Sequence, residues 1–308
     1  MSDAGADEGS PAALAALALL GNAFIWGTSW LPFRALQERG AHALWSTVFV
    51  YLCGVALFLL WRPGALRQSL RYPALAALAL SSGLTNICFN WAVTIGDVVR
   101  VVLLFYLMPA WSVLLAWALL GERPQIGALA RLALALTGVS FVLKTEGAAW
   151  PWPESLADWL AIAGGFSFAL TGVLLRRWRA TPVSARTFAM FGGSALVCLL
   201  AATLAQRMGW IPPAPALAHW PQWLPWALGL TALLLLGNLA LQYGSAHLPA
   251  QTASLLMLSE VVFASVSSIA LGAAALSART LGGGGLILLA ALLAVLARPA
   301  KHAGRAGG

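Results

Sequence analysis

The chain has 308 residues, of which 60% are hydrophobic and only 9% charged, and its formal net charge is +8. A soluble domain carries roughly 25% charged residues, so this composition, with a mean hydropathy of +0.83, excludes a water-soluble globule and reads as an integral membrane protein. Lys and Arg fall in short segments between apolar runs, which makes them an orientation signal and not a nucleic-acid surface.

Residues 1–11 hold Asp3, Asp7 and Glu8 and no Lys or Arg. A cleavable signal starts basic, so this stretch is expected to be a short cytoplasmic tail. Ten apolar runs follow, at 12–33, 42–61, 73–95, 98–120, 125–143, 156–176, 184–205, 223–243, 249–272 and 281–297. They match the about 20 residues that a spanning helix needs. Turn chemistry separates them, as at Arg62-Pro63-Gly64, Gly121-Glu122-Arg123-Pro124, Pro151-Trp152-Pro153-Glu154 and Ile211-Pro212-Pro213. The breaks at Gly96-Asp97 and at His247-Leu248-Pro249 are the weakest, and they fall after the third and the eighth run.

This symmetry has company. A shift of 152 places Asn86 on Asn238, Asn90 on Gln242 and Trp111 on Phe263; a shift of 142 places Trp26 on Phe168 and Arg34 on Arg176. The expected fold is an all-α polytopic membrane protein with ten transmembrane helices as two five-helix repeats, 12–143 and 156–297. An outer linker 144–155 joins them, and a basic cytoplasmic tail 298–308 follows. Five spans per half make the second repeat inverted relative to the first.

With the N-terminus inside, the inner segments hold Arg62, Arg67, Arg71, Arg123, Arg176, Arg177, Arg179, Arg186, Arg298, Lys301 and Arg305. The outer segments hold Arg34, Arg39, Arg100, Lys144, Arg207 and Arg279, so the positive-inside rule favours both termini in the cytoplasm of a bacterial-type inner membrane. Trp150, Trp152, Trp159, Trp210, Trp220, Trp223 and Trp226 flank the two longer outer loops as an aromatic belt.

Polar residues at bilayer depth are costly and tend to face the bundle interior. Asn86 and Asn90 lie four apart on one helix face, and Asn238 and Gln242 repeat the pattern. Carboxamides donate and accept, which suits a zwitterionic or polar neutral ligand; they equally suit hydrogen bonds between helices. Asn22, Trp26 and Ser29 in the first run, and Phe168 and Thr171 in the sixth, combine aromatic and hydroxyl groups that line a pocket or pack helix on helix. Tyr106 and Trp111 flank Pro109, which removes one backbone hydrogen bond and bends the fourth helix, as a hinge or as plain structure. Ser254 completes the cavity set.

Glu260 lies within the ninth run, where it is either a coupling group that titrates during transport or a carboxyl that ties two helices together. Arg100, one turn after Asp97, is either a cation at the outer mouth or an interfacial partner of Asp97. Gly282 to Gly285 favour helix packing or dimer formation. Cys53, Cys88 and Cys198 are isolated in apolar runs and the four His are scattered, so no metal or cofactor is expected.

Three motifs in order carry a family resemblance over residues 12–297. They are Asn22-Ala23-Phe24-Ile25-Trp26-Gly27-Thr28-Ser29, Tyr106-Leu107-Met108-Pro109-Ala110-Trp111 with Leu120-Gly121-Glu122, and Leu258-Ser259-Glu260-Val261-Val262-Phe263-Ala264. The chain resembles the EamA-type drug/metabolite transporter superfamily. Its Tyr-Leu-x-Pro stretch and its Ala274-Ala275-Leu276-Ser277 are most similar to the YddG-type amino-acid exporter branch. One departure is that the second half has Val261 where the first has Pro109, and no helix-ending Gly-Glu. The resemblance implies a secondary transporter that exports small amphipathic metabolites, foremost amino acids, by alternating access. The alternatives are an importer or an amphipathic-cation efflux protein of the same fold, and, more remotely, a channel or structural membrane protein. The expected partners are a small-molecule substrate and the lipid bilayer, with no nucleic acid, in a monomer or homodimer. No HExxH, Gly-x-Ser-x-Gly or P-loop motif occurs, so neither an enzyme nor an ATP-driven pump within this chain is expected.

Overall fold

The computed structural model describes residues 9–121, 126–144, 152–178, 180–215, 220–247, 256–257, 259–273 and 277–296. Among them there is no strand. The helices are α1 (Gly9–Thr28), α2 (Trp30–Glu38), α3 (Ala43–Trp61), α4 (Ala65–Leu70), α5 (Leu75–Ile95), α6 (Val98–Phe105), α7 (Met108–Leu120), α8 (Ile126–Leu143), α9 (Leu156–Arg177), α10 (Val183–Arg207), α11 (Trp220–His247), α12 (Ser259–Ala270) and α13 (Ala278–Leu296).

Seven stretches are long and apolar enough to cross a membrane: Ala13–Glu38, Ala43–Trp61, Leu75–Ile95, Val98–Leu120, Leu156–Arg177, Val183–Arg207 and Pro221–Leu241. Three shorter apolar helices, Leu129–Phe141, Ser259–Ala270 and Leu281–Ala290, coincide with the fifth, ninth and tenth runs of the sequence. The chain is therefore a multi-pass membrane protein.

Two spans are broken. The first bends at Ser29, whose hydroxyl donates to the Trp26 carbonyl at 2.8 Å, and then continues to Glu38 because Trp30, Phe33 and Leu36 share a buried face. The fourth stops at Phe105 and restarts at Met108. Pro109 sits in the first turn of α7, where its missing N–H costs least. The sequence expected a bend there; the structure has a two-residue turn at Tyr106 and Leu107, just before the proline, where the Leu107 N–H bonds the Leu104 carbonyl at 3.2 Å instead of one four residues back.

The helices pack in a regular set of pairs. α5 lies against α9 and α10, and α11 against α1 and α3; α1 meets α12, and α9 meets α6 and α7. α3 packs on α10, α6 on α12 and α8 on α13. Close approaches use glycine. A Cβ built on Gly165 of α9 would stand 2.5 Å from the Phe105 carbonyl oxygen, and one built on Gly193 of α10 would collide with the backbone of Ala79. The largest apolar cluster surrounds α6 and brings in Trp30, Phe89, Val261 and Ile287.

One end of the bundle holds the α3–α4 turn and the start of α10, joined by a Ser184 hydroxyl that donates to Gln68 Oε1. Arg177 donates to the Leu119 carbonyl at 2.6 Å at the same end. We call it the basic end. At the opposite end Arg34 donates to the carbonyls of Val93 (3.0 Å) and Gly96 (2.6 Å), and Trp45 donates to that of Pro212 (3.3 Å). Trp223, placed in the interfacial belt from sequence, is instead buried, its ring stacked on Phe49 at 4.7 Å.

Candidate functional site

Buried polar side chains gather in two seams. The first lies between α1, the α6–α7 break and α12. The Tyr106 hydroxyl is 3.3 Å from Glu260 Oε2 and 3.2 Å from the Met257 carbonyl. Asn22, fully buried, donates from Nδ2 to Met257 Sδ at 3.2 Å, while its Oδ1 has no hydrogen-bond partner among the described residues. Trp30 Nε1 donates to Ser267 Oγ at 3.0 Å and ties α2 to the same helix.

The second seam joins α3, α5, α9 and α10. Asn86 accepts from the Tyr51 hydroxyl at 2.5 Å and donates to Ser194 Oγ at 3.0 Å and to the Ser82 carbonyl at 2.9 Å. Ser82 and Ser194 hydroxyls lie 3.3 Å apart. Asn90 donates to Thr47 Oγ1 at 3.1 Å, and its Oδ1 is buried without a partner among the described residues. Thr171 Oγ1 lies 2.9 Å from both Ser81 Oγ and the Ser167 carbonyl oxygen, and its one proton goes to one of them at a time.

The structure thus brings Asn22, Tyr106 and Glu260 together, and places Asn86, Asn90 and Thr171 in a separate layer. Trp26 is half-buried, its ring edge-on to Phe89 at 6.4 Å. Ser29 spends its hydroxyl on the helix break. Trp111 meets Phe166 at 5.5 Å, with its indole N–H buried and unpaired among the described residues. Phe168 is largely exposed, touching Phe105 at 5.5 Å. Ser254 and the side chains of Gln242 and Pro109 lie outside the described residues.

Arg100 has a partner that the spacing did not suggest. Asp97 caps α6 through the Arg100 backbone N–H at 2.9 Å, and the guanidinium grips Asp158 with two bonds, 2.7 Å from Nε and 2.9 Å from Nη2. Asp158 is the third residue of α9, in a capping box with Ser155, and also accepts from the Glu154 N–H at 3.2 Å. The pair locks α6 to α9 at the end opposite the basic one.

Sequence reasoning missed Tyr51, Thr47, Ser82, Ser194 and Asp158. Ser155-x-x-Asp158 was readable as a helix start, but nothing in the spacing links it to Arg100, 58 residues away. Sequence also missed a cavity of about 420 Å³ at the basic end, between α3, α10 and α11, which Asn238 enters together with Phe58, Arg62, Thr187, Phe191 and Leu235.

Long apolar helices with buried polar seams between them define a polytopic membrane protein. Residues 13–144 match the model of the EamA-like transporter family. A curated Pseudomonas aeruginosa protein named an uncharacterized transporter is 29% identical over 172 residues, 52% of this chain and 53% of its own length. The chain thus matches about half of that relative. A solved crystal structure shares the fold over 92% of this chain and 96% of its own, with a TM-score of 0.57 and 20% identity.

Proposed function

We propose that this protein is a secondary transporter of the inner membrane that exports small amphipathic metabolites, foremost amino acids as in the YddG-type branch, by alternating access between two inverted five-helix halves of ten spans in all. The observation that carries this reading is the exchange symmetry of the main packings between halves. Let α1–α2, α3, α5, α6–α7 and α8 correspond to α9, α10, α11, α12 and α13. Then α5 on α9 becomes α11 on α1, α5 on α10 becomes α11 on α3, and α1 on α12 becomes α9 on α6–α7. The pairs α3–α10, α6–α12 and α8–α13 map onto themselves. Such a bundle has two related ways to pack, one open at each end, which is what rocking of the halves requires.

In this reading the structure is open at the basic, cytoplasmic end, where the cavity lies, and closed at the other by Arg100–Asp158. The two polar seams border the path that a solute crosses, and Glu260 is the coupling group. Efflux and counter-flow of L-phenylalanine and other neutral amino acids from proteoliposomes test the reading. Saturable flux is expected; no saturable flux for any amino acid or aromatic amine would overturn it.

A further inference from the structure

The cavity at the basic end uses residues that neither polar seam needs. We propose that it is an entry vestibule for amphipathic solutes that carry a carboxylate, and that Arg62 receives that group. This rests on the transporter reading and names the head group that reading leaves open.

Size is the first argument. About 420 Å³ lies within the range of ordinary small-molecule sites, roughly 300–1,000 Å³. Leu57, Phe58, Phe191, Leu235 and Leu239 supply an apolar wall for the body of the ligand. Polar groups come at more than one depth. Arg62 stands at the end of α3 and Ser184 at the start of α10; Thr187 follows one turn further in. Asn238, nine residues before the end of α11, lies about 14 Å from that end at 1.5 Å per residue. The Thr187 hydroxyl makes no hydrogen bond among the described residues, although it faces this space. An acyl chain would give it nothing, whereas a solute with polar atoms at both ends would. This favours a dissolved solute over a membrane lipid.

Charge is the second argument. The Arg62 guanidinium lies 4.8 Å over the Trp61 ring and has no ion pair among the described residues, so its charge is held at the mouth and left unneutralised. Arg67, Arg71, Arg176, Arg177 and Arg186 share this end, and none of the described acidic residues does. Pro182 gives α10 no side-chain cap, so the positive pole of that helix adds to the same field. A cleft lined by one sign of charge concentrates the opposite ion and repels its own. An ammonium-only amphiphile is therefore the wrong ligand, although its apolar body would fit equally well.

The test uses the purified full chain in phosphatidylcholine nanodiscs, with 3-phenylpropionate and phenethylamine as matched probes. We expect 3-phenylpropionate to raise the unfolding temperature in a saturable way and phenethylamine not to. Arg62→Gln should weaken the apparent affinity for 3-phenylpropionate roughly ten-fold or more, as loss of a charged hydrogen bond does, and Arg62→Lys should retain part of it. Leu239→Trp, which fills the cavity without touching its charge, should abolish the shift. Unchanged affinity in Arg62→Gln, or equal stabilisation by phenethylamine, would overturn the proposal. So would loss of the shift when phosphatidylglycerol is added, since a lipid would then own the site. If amino-acid flux persists while 3-phenylpropionate fails to bind, the vestibule falls and the transporter stands; if flux is also absent, both fall.

Discussion

The Tyr106 hydroxyl stands between two acceptors, 3.3 Å from Glu260 Oε2 and 3.2 Å from the Met257 carbonyl, and joins the broken fourth span to α12. It has one proton to give, so it satisfies one acceptor at a time. Removing it in Tyr106→Phe leaves a buried acceptor unpaired, at a cost of about 1–3 kcal/mol. We expect a lowered unfolding temperature for the variant, and a double-mutant cycle with Glu260→Gln should show the two changes to be non-additive. Strict additivity would mean that the pair is not coupled.

If Glu260 couples transport to proton movement, Glu260→Gln abolishes proton-driven accumulation in proteoliposomes and leaves exchange between equal pools intact, because the amide mimics the protonated acid but cannot release the proton. Accumulation that survives unchanged removes Glu260 from that role.

Arg100 and Asp158 bind α6 to α9, but the two residues are not equivalent. Asp158 also receives the backbone N–H groups of Glu154 and Ser155 at the start of α9. Asp158→Asn should therefore destabilise more than Arg100→Gln, within the about 3–5 kcal/mol found when one partner of a buried pair is lost and less where water reaches it. Thermal unfolding ranks them. If the pair acts as the gate in the proposed transport cycle, both variants should also increase labelling of cysteines introduced at this end.

His42 caps α3, with Nδ1 accepting the Leu44 N–H at 3.3 Å, and burial pushes its imidazole below the ordinary value. A lowered folded-state value means that the neutral ring is the stabilising form. Its contribution is complete above pH about 6.5 and is lost as pH falls through the folded-state value. His42→Asn keeps a capping group and removes the titration. The drop in unfolding temperature between neutral and mildly acidic pH should be smaller in the variant than in the native chain.

Gly193→Ala pushes a methyl into the Ala79 backbone and should cost about 1–3 kcal/mol through overpacking of α5 on α10. Gly172→Ala meets nothing within 4 Å and should be neutral or stabilising by about 0.5–1 kcal/mol. Equal unfolding temperatures for the two would contradict the packing described.

Hydropathy revealed the seven stretches that are long and apolar enough to cross a membrane among the described residues, because a spanning helix must be apolar for its whole length whatever it packs against. The break at Tyr106-Leu107 was half-visible: Pro109 announced it, but the interruption begins before the proline, where α6 is surrounded by Phe89, Val261 and Ile287. Asn86 stood out from sequence as one of a pair of amides with Asn90, yet its hydrogen-bond partners Tyr51 and Ser194 did not. They come from helices whose mutual rotation no local pattern records. The Arg100–Asp158 pair was hidden for the same reason. The cavity was invisible because it is space between helices, with only Asn238 among the polar residues singled out beforehand.

In an unbroken fourth helix the Phe105 carbonyl would meet an N–H at position 109, and proline has none. Gly165 of α9 lies over that same oxygen, so close that any side chain there would strike it. The proline and the glycine, 56 positions apart, therefore meet at one carbonyl: the proline has no N–H to offer it, and the glycine leaves it room. Neither residue is free to vary by itself. A lineage that straightened the fourth helix by replacing the proline would move that carbonyl under α9, so the two positions should drift together.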